Sequence, residues 1–118
     1  MKKILILGIE SSCDETSVAI IEKGRKNKGV NVLVNLIKSQ MDIHKDFGGV
    51  VPELAARAHS EIIDTLIKMA LKKAKLKLTD LTAIAATSGP GLLGGLLVGV
   101  VAAKTLSSVL NIPFIAVN

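Results

Sequence analysis

Residues 2–23 read KKILILGIESSCDETSVAIIEK, and the place where this stretch breaks in two decides the fold. KKILILGIESS is a near-continuous run of strand-forming apolar residues, the pattern of a central strand covered on both faces. TSVAIIEK follows after a very short connection, so the two runs form a hairpin with Cys13 to Glu15 near its tip. A turn rich in Gly, Asn and Lys, KGRKNKG, then leads to VNVLVNLIKSQ, where Val30, Val32, Val34 and Leu36 alternate with Asn31, Leu33 and Asn35. Three antiparallel strands in succession predict a meander.

From Pro52 the period changes. Leu54, Ala58, Ile62, Leu66 and Ala70, flanked by Ala55, Ile63, Ile67 and Leu71, recur at helical spacing, with Arg57, Glu61, Asp64, Lys68 and Lys72 on the other side. The spacing predicts an amphipathic helix over 52–76, with Pro52 tolerated in its first turn. LTAIAATS reads as a short buried strand, GPGLLGG as a loop opening a helix, and LLVGVVAAKTLSSVLN as that helix, over 92–111. This second helix is apolar nearly all round and is expected to be buried. After a turn at Asn111 to Pro113, FIAVN begins one more strand. Meander, helix, strand, helix, strand is an α/β layer fold. No repeat, low-complexity tract or linker divides the 118 residues, so a single domain is expected, and its ending on an apolar strand is what a piece of a longer protein would show.

Composition narrows the function. With hydrophobic residues at 49% the chain is not disordered, yet aromatics are only 2% and Trp and Tyr are absent. Phe47 and Phe114 alone cannot build the stacking platforms of single-strand nucleic-acid binders. The net charge of +5 comes from Lys and Arg concentrated at Lys23 to Lys28 and Lys72 to Lys77. Either cluster could hold a phosphate backbone, and either could be a solvated turn or helix end. One cysteine, Cys13, excludes an internal disulfide and fits a reducing cytoplasm. The run ILILGI is too short for a signal peptide before Glu10 interrupts it. The charge-free stretch from Leu81 to Ala103 is broken by SGPG and does not read as a membrane span.

Three stretches could carry chemistry. A hairpin tip with Ser11, Ser12, Asp14, Glu15 and Thr16 presents hydroxyls, carboxylates and turn amides at the end of a rigid sheet. Amides and hydroxyls there can hold phosphate oxygens while a carboxylate positions a metal or accepts a proton. The same residue types also form turns with no ligand. Glu10 inside an apolar strand, and Asp14 beside Glu15, weigh towards function, because acids so close repel unless a cation or a proton donor relieves them. TSGPGLLGG, Thr87 to Gly95, follows a strand and opens a helix, where backbone amides and the helix dipole can receive an anion. Ser88, Gly89 and Gly91 would form this second loop. It lacks the endings of both nucleotide fingerprints, and Gly94, Gly95 and Gly99 could equally let a helix lie close to the sheet or to a partner helix. DIHKDFGGVVPELAARAH holds His44, His59, Asp42, Asp46 and Glu53 at spacings that match no zinc pattern.

Taken together, GIESSCDETSVAI, GGVVPELAARAH and TSGPGLLGGLLVG occur in the order and at the spacing seen in the bacterial TsaD proteins, also called Gcp, relatives of the Kae proteins. The resemblance spans essentially all 118 residues. It implies one lobe of an RNase H-like, actin-like ATPase fold, whose first hairpin is a phosphate loop matched here by SSCDET. It further implies transfer of a threonylcarbamoyl group from threonylcarbamoyl-AMP to the adenosine beside the anticodon of tRNA, in the cytoplasm. On this resemblance Asp14 and Glu15 are the catalytic pair, and Ser11, Ser12, Cys13 and Thr16 shape the loop around them. The older family name, O-sialoglycoprotein endopeptidase, finds no support: the sequence has neither a nucleophile with its base nor a metal-water motif.

The resemblance also implies an iron or zinc ion. Its family ligands, an HxxxH motif directly after the last strand and an aspartate and SGGH-type loop further on, lie beyond Asn118, so no metal ligand is expected among these residues. With the C-terminal lobe absent, the piece alone is expected to be inactive. Family helices equivalent to 52–76 and 92–111 pack against a TsaB-like partner, and the apolar sides of these two stretches offer such a surface, or one for self-association as a homodimer. Other expected ligands are ATP or ADP and tRNA; no membrane is expected. A non-catalytic scaffold of the TsaB kind is the competing reading, and VVPELAARAH speaks for the transferase.

Overall fold

The computed structural model describes residues 3–11, 15–24, 29–39, 52–89 and 93–118. Strands β1 (Ile4–Glu10), β2 (Glu15–Lys23) and β3 (Val30–Ser39) precede helix α1 (Pro52–Ala74). A 3₁₀ turn (Leu78–Asp80), strand β4 (Ala83–Thr87), helix α2 (Leu93–Leu110) and strand β5 (Phe114–Val117) follow. The strands form one sheet in the order β3-β2-β1-β4-β5, antiparallel between β1, β2 and β3 and parallel from β1 through β4 to β5. The chain is therefore a mixed α/β sheet with two helices.

Alternation in β1 sends Leu5, Leu7 and Ile9 to one face, and the register aligns Leu7 with Ile20 and Ile84 on that face. All three are fully buried, each contributing about 1.5–3 kcal/mol of hydrophobic stabilisation. α1 adds Ile63, Leu66, Ile67 and Ala70 to the same cluster, while Glu61, Asp64, Lys68 and Lys72 face solvent as the helical period requires. α2 approaches the sheet through a stripe of small buried residues, Gly99, Ala103 and Ser107, four apart. At Gly99 the approach is so close that a Cβ would overlap Ser11 Oγ and touch the Ile9 side chain. This is the packing use of glycine anticipated for the GPGLLGG helix.

Three expectations need correction. Val30 and Val32 do not share a face with Val34 and Leu36. A register shift between Ile20 and Ile21 pairs Ile21 with Val32 while Ile20 pairs with Val34, so Val34 is buried and Val32 is 64% exposed. A bulge places two residues against one and turns the remaining side chains over. Second, α2 is not buried all round: Leu97, Val101 and Val109 are exposed, because the helix covers the sheet with only its small-residue side. Third, the first helix stops at Ala74 rather than at residue 76. Lys75 adopts φ 58, its N–H donates to Lys72 O, and the Leu76 N–H donates to Leu71 O. Asn111, at φ 55, ends α2 in the same way, with bonds from Asn111 N–H to Ser108 O and from Ile112 N–H to Ser107 O.

Candidate functional site at the carboxyl edge of the sheet

β1, β4 and β5 run parallel and end at one edge, the position where open α/β sheets receive ligands. From β1 the chain enters the hairpin towards Glu15, and from β4 it passes through Ser88 and Gly89 towards α2. The hairpin and the second loop, 77 residues apart in sequence, are thereby neighbours.

The hairpin register pairs Glu10 with Ser17, which sets Ser11 opposite Thr16 on the helix side of the sheet. Both are buried, at 2% and 0% exposure, at the base of the hairpin. Glu15 opens β2, pairs with Ser39 and is exposed. By alternation it shares the opposite face with Glu10 and Ser17. Glu10 is half-buried there and accepts a hydrogen bond from Thr87 Oγ1 at 2.5 Å. Next to Thr87, the Ser88 N–H donates to Val117 O at 2.8 Å, and Ser88 Oγ lies 3.3 Å from both Val117 O and Asn118 Oδ1. Gly89 has open space where a side chain would stand. Ser12, Cys13, Asp14 and Gly91 lie outside the described residues. So do His44, Asp42, Asp46, Phe47, Gly48 and Gly49.

Two features belong elsewhere. Lys23 pairs with Ile4 at the amino end of β1, and Lys72, Lys73, Lys75 and Lys77 are exposed where α1 ends and the chain returns to the start of β4. Lys23 and the Lys72 to Lys77 stretch thus lie towards the amino edge, away from Glu10 and Glu15, while the basic residues Arg25, Lys26 and Lys28 lie outside the described residues. Lys72 and Lys73 occupy the last turn of α1, where positive charge complements the helix dipole. The second feature is an apolar groove of about 730 Å³ between the helices, lined by Ile67, Leu71, Leu97, Val101 and Leu106 among others, with Asp64 and Lys68 at its rim. None of the carboxyl-edge residues lines it. Among the described residues no three His, Cys, Asp or Glu side chains gather to hold a metal ion, and no helix is long and apolar enough to cross a membrane.

Thr87 enters the sequence reading only as the first residue of the TSGPGLLGG stretch, and Glu10 only as an acid whose place in an apolar strand weighs towards function. An acid inside an apolar strand was the visible signal, since a carboxylate there needs a partner. Nothing local named that partner.

A family model described as "TsaD: tRNA N6-adenosine threonylcarbamoyltransferase" matches residues 31–118. The chain belongs to this family. A relative in Dictyoglomus turgidum, named tRNA N6-adenosine threonylcarbamoyltransferase, is 55% identical over 115 residues, which cover 98% of this chain and 33% of the relative. Another of the same name in Bartonella tribocorum is 58% identical over 113 residues, 96% of this chain and 31% of the relative. The chain spans about a third of the length of these curated relatives. Among solved structures, YeaZ from Pseudomonas aeruginosa is similar in fold, with a TM-score of 0.71 at 19% identity over 98% of this chain and 44% of that one.

Proposed function

We propose that this chain is the N-terminal lobe, of actin-like ATPase type, of a cytoplasmic tRNA threonylcarbamoyladenosine transferase. The observation that carries the reading is family membership over most of the chain, joined to an acidic hairpin at the carboxyl edge of the sheet. In the transfer, the adenosine N6 amine attacks the carbamoyl carbonyl carbon of threonylcarbamoyl-AMP. The new C–N bond forms, the C–O bond to phosphate breaks, AMP leaves, and the amine gives up a proton. Asp14 and Glu15 are the proposed acceptors of that proton and the groups that orient the amine, a role worth about 10²–10⁴-fold in rate. Ser12, Cys13 and the hairpin amides cradle the phosphate, while buried Ser11 and Thr16 hold the loop from below. Ser88, Gly89 and Gly91 supply the second wall, with Gly89 leaving room for a ligand to approach backbone.

The family's iron or zinc ion, when bound, would polarise the carbonyl; on the resemblance its ligands lie beyond Asn118. ATP or ADP would occupy the same phosphate loop as the adenylate. The groove between α1 and α2, with exposed Leu97 and Val101, supports docking of a TsaB-like partner through helices 52–76 and 92–111, or of a second copy of this chain.

A chimera tests the reading. Replacing the matching N-terminal third of the Dictyoglomus turgidum relative with this chain is expected to give a folded protein that, with its partners, forms threonylcarbamoyladenosine on tRNA, read by mass spectrometry of tRNA nucleosides. A folded chimera that binds its partners yet leaves tRNA unmodified would contradict the assignment.

A further inference from the structure

Main-chain pairing between β1 and β4 reaches Ile9 and Ala86 and stops. The Glu10–Thr87 hydrogen bond makes the next rung with side chains alone. At 2.5 Å it is of the short, charge-assisted kind that a hydroxyl makes to a carboxylate, about twice as strong as a neutral bond. Thr87 is also the last residue of β4 in register with β5, opposite Val117, and Ser88 continues that attachment through its N–H and Oγ. The carboxyl edge is therefore tied from β1 through β4 to β5, at the point where the two loops leave the sheet.

Glu10 is not one of the proposed catalytic acids. It stands on the same face as Glu15, with its half-buried carboxylate committed to Thr87 rather than turned wholly to solvent. A carboxylate in an apolar strand costs stability unless it is hydrogen-bonded, and Thr87 supplies one such bond. We propose that Glu10 is a positioning residue for the transfer reaction: through Thr87 it fixes the separation between the acidic hairpin and the Ser88–Gly89 loop. This rests on the functional reading above, and its structural half can be tested independently of that reading.

The test uses the intact transferase with its partners. Thr87→Val is expected to lower kcat roughly tenfold or more, with KM for the adenylate within a factor of about three, because displaced reacting groups cost rate more than binding. Thr87→Ser keeps the hydroxyl and is expected to hold kcat within about threefold of the parent. The double variant Glu10→Ala/Thr87→Val is expected to be no worse than the poorer single variant, since both changes remove one contact. Amide hydrogen exchange reads the clasp without activity: in Thr87→Val the Thr16 and Ser88 amides are expected to exchange about tenfold faster, with Ala70 in α1 unchanged. Unchanged kcat and exchange in Thr87→Val overturn the proposal. So does an increase that extends equally to Ala70, or a Thr87→Ser variant as poor as Thr87→Val. If the parent itself fails to transfer, the functional reading falls, and the exchange pattern alone decides whether the clasp stands.

Discussion

The two ends of the sheet are built from similar parts that take different partners. At the amino edge, Thr82 ties β4 to β1: its N–H donates to Leu5 O at 2.7 Å and its Oγ1 accepts the Leu5 N–H at 3.0 Å. At the carboxyl edge, Thr87 ties the same two strands, but to the carboxylate of Glu10. The first tie satisfies backbone groups of Leu5. The second engages a half-buried acid next to the loop in which Gly89 has open space. Both are threonine clasps, and only the second spends a charged group. On the reading proposed above, that difference separates an end that closes the fold from an end arranged for chemistry.

Substitutions can break or sharpen this contrast. The largest effect is expected at Gly99→Ala, where the new methyl meets Ser11 Oγ beneath the hairpin. Overpacking of this kind costs about 1–3 kcal/mol, and transfer per folded molecule should fall with it because the hairpin base shifts. Combining it with Ser11→Ala should give a loss smaller than the sum of the two single losses, measurable by denaturant unfolding. A strictly additive pair would mean that the helix yields instead of the hairpin. Thr82→Val comes next: it strands the Leu5 N–H and should cost about 1–2 kcal/mol while leaving transfer per folded molecule unchanged. Impaired transfer in a folded Thr82→Val protein would erase the distinction between the edges. The smallest effect is expected at Lys75→Gly. Relieving the left-handed conformation at the end of α1 should raise stability by about 1 kcal/mol, seen as a higher thermal midpoint, with no change at the carboxyl edge.

Much of the fold was legible in the residues. The switch from near-continuous apolar runs to the Ile63, Leu66, Ile67 and Ala70 period separated the sheet from α1, because those periods follow from backbone geometry alone. The bulge at Ile20 and Ile21 was not legible, since an extra residue in β3 leaves no compositional mark and alternation by eye carried Val32 to the wrong face. Nor was the one-sided burial of α2, because Gly99, Ala103 and Ser107 look less apolar than the Leu97 and Val101 they leave exposed. For the site, the hairpin acids and the glycine loop stood out as residue types. That the hairpin and the glycine loop leave adjacent strands depends on the parallel pairing of β1 with β4, a contact across 77 residues that no local pattern encodes. That Lys23 and the end of α1 lie towards the same edge was hidden for the same reason.

The central claim is that the exposed hairpin carboxylate at the carboxyl edge serves transfer and not folding. Glu15→Ala in the intact transferase, assayed with its partners for threonylcarbamoyladenosine on tRNA alongside thermal unfolding, tests it most directly. Transfer should fall by about 10²-fold or more, while the thermal midpoint moves by less than about 2 °C, as expected for an exposed side chain with little packing. A variant that melts much earlier yet transfers normally per folded molecule would contradict the claim and return Glu15 to the turn.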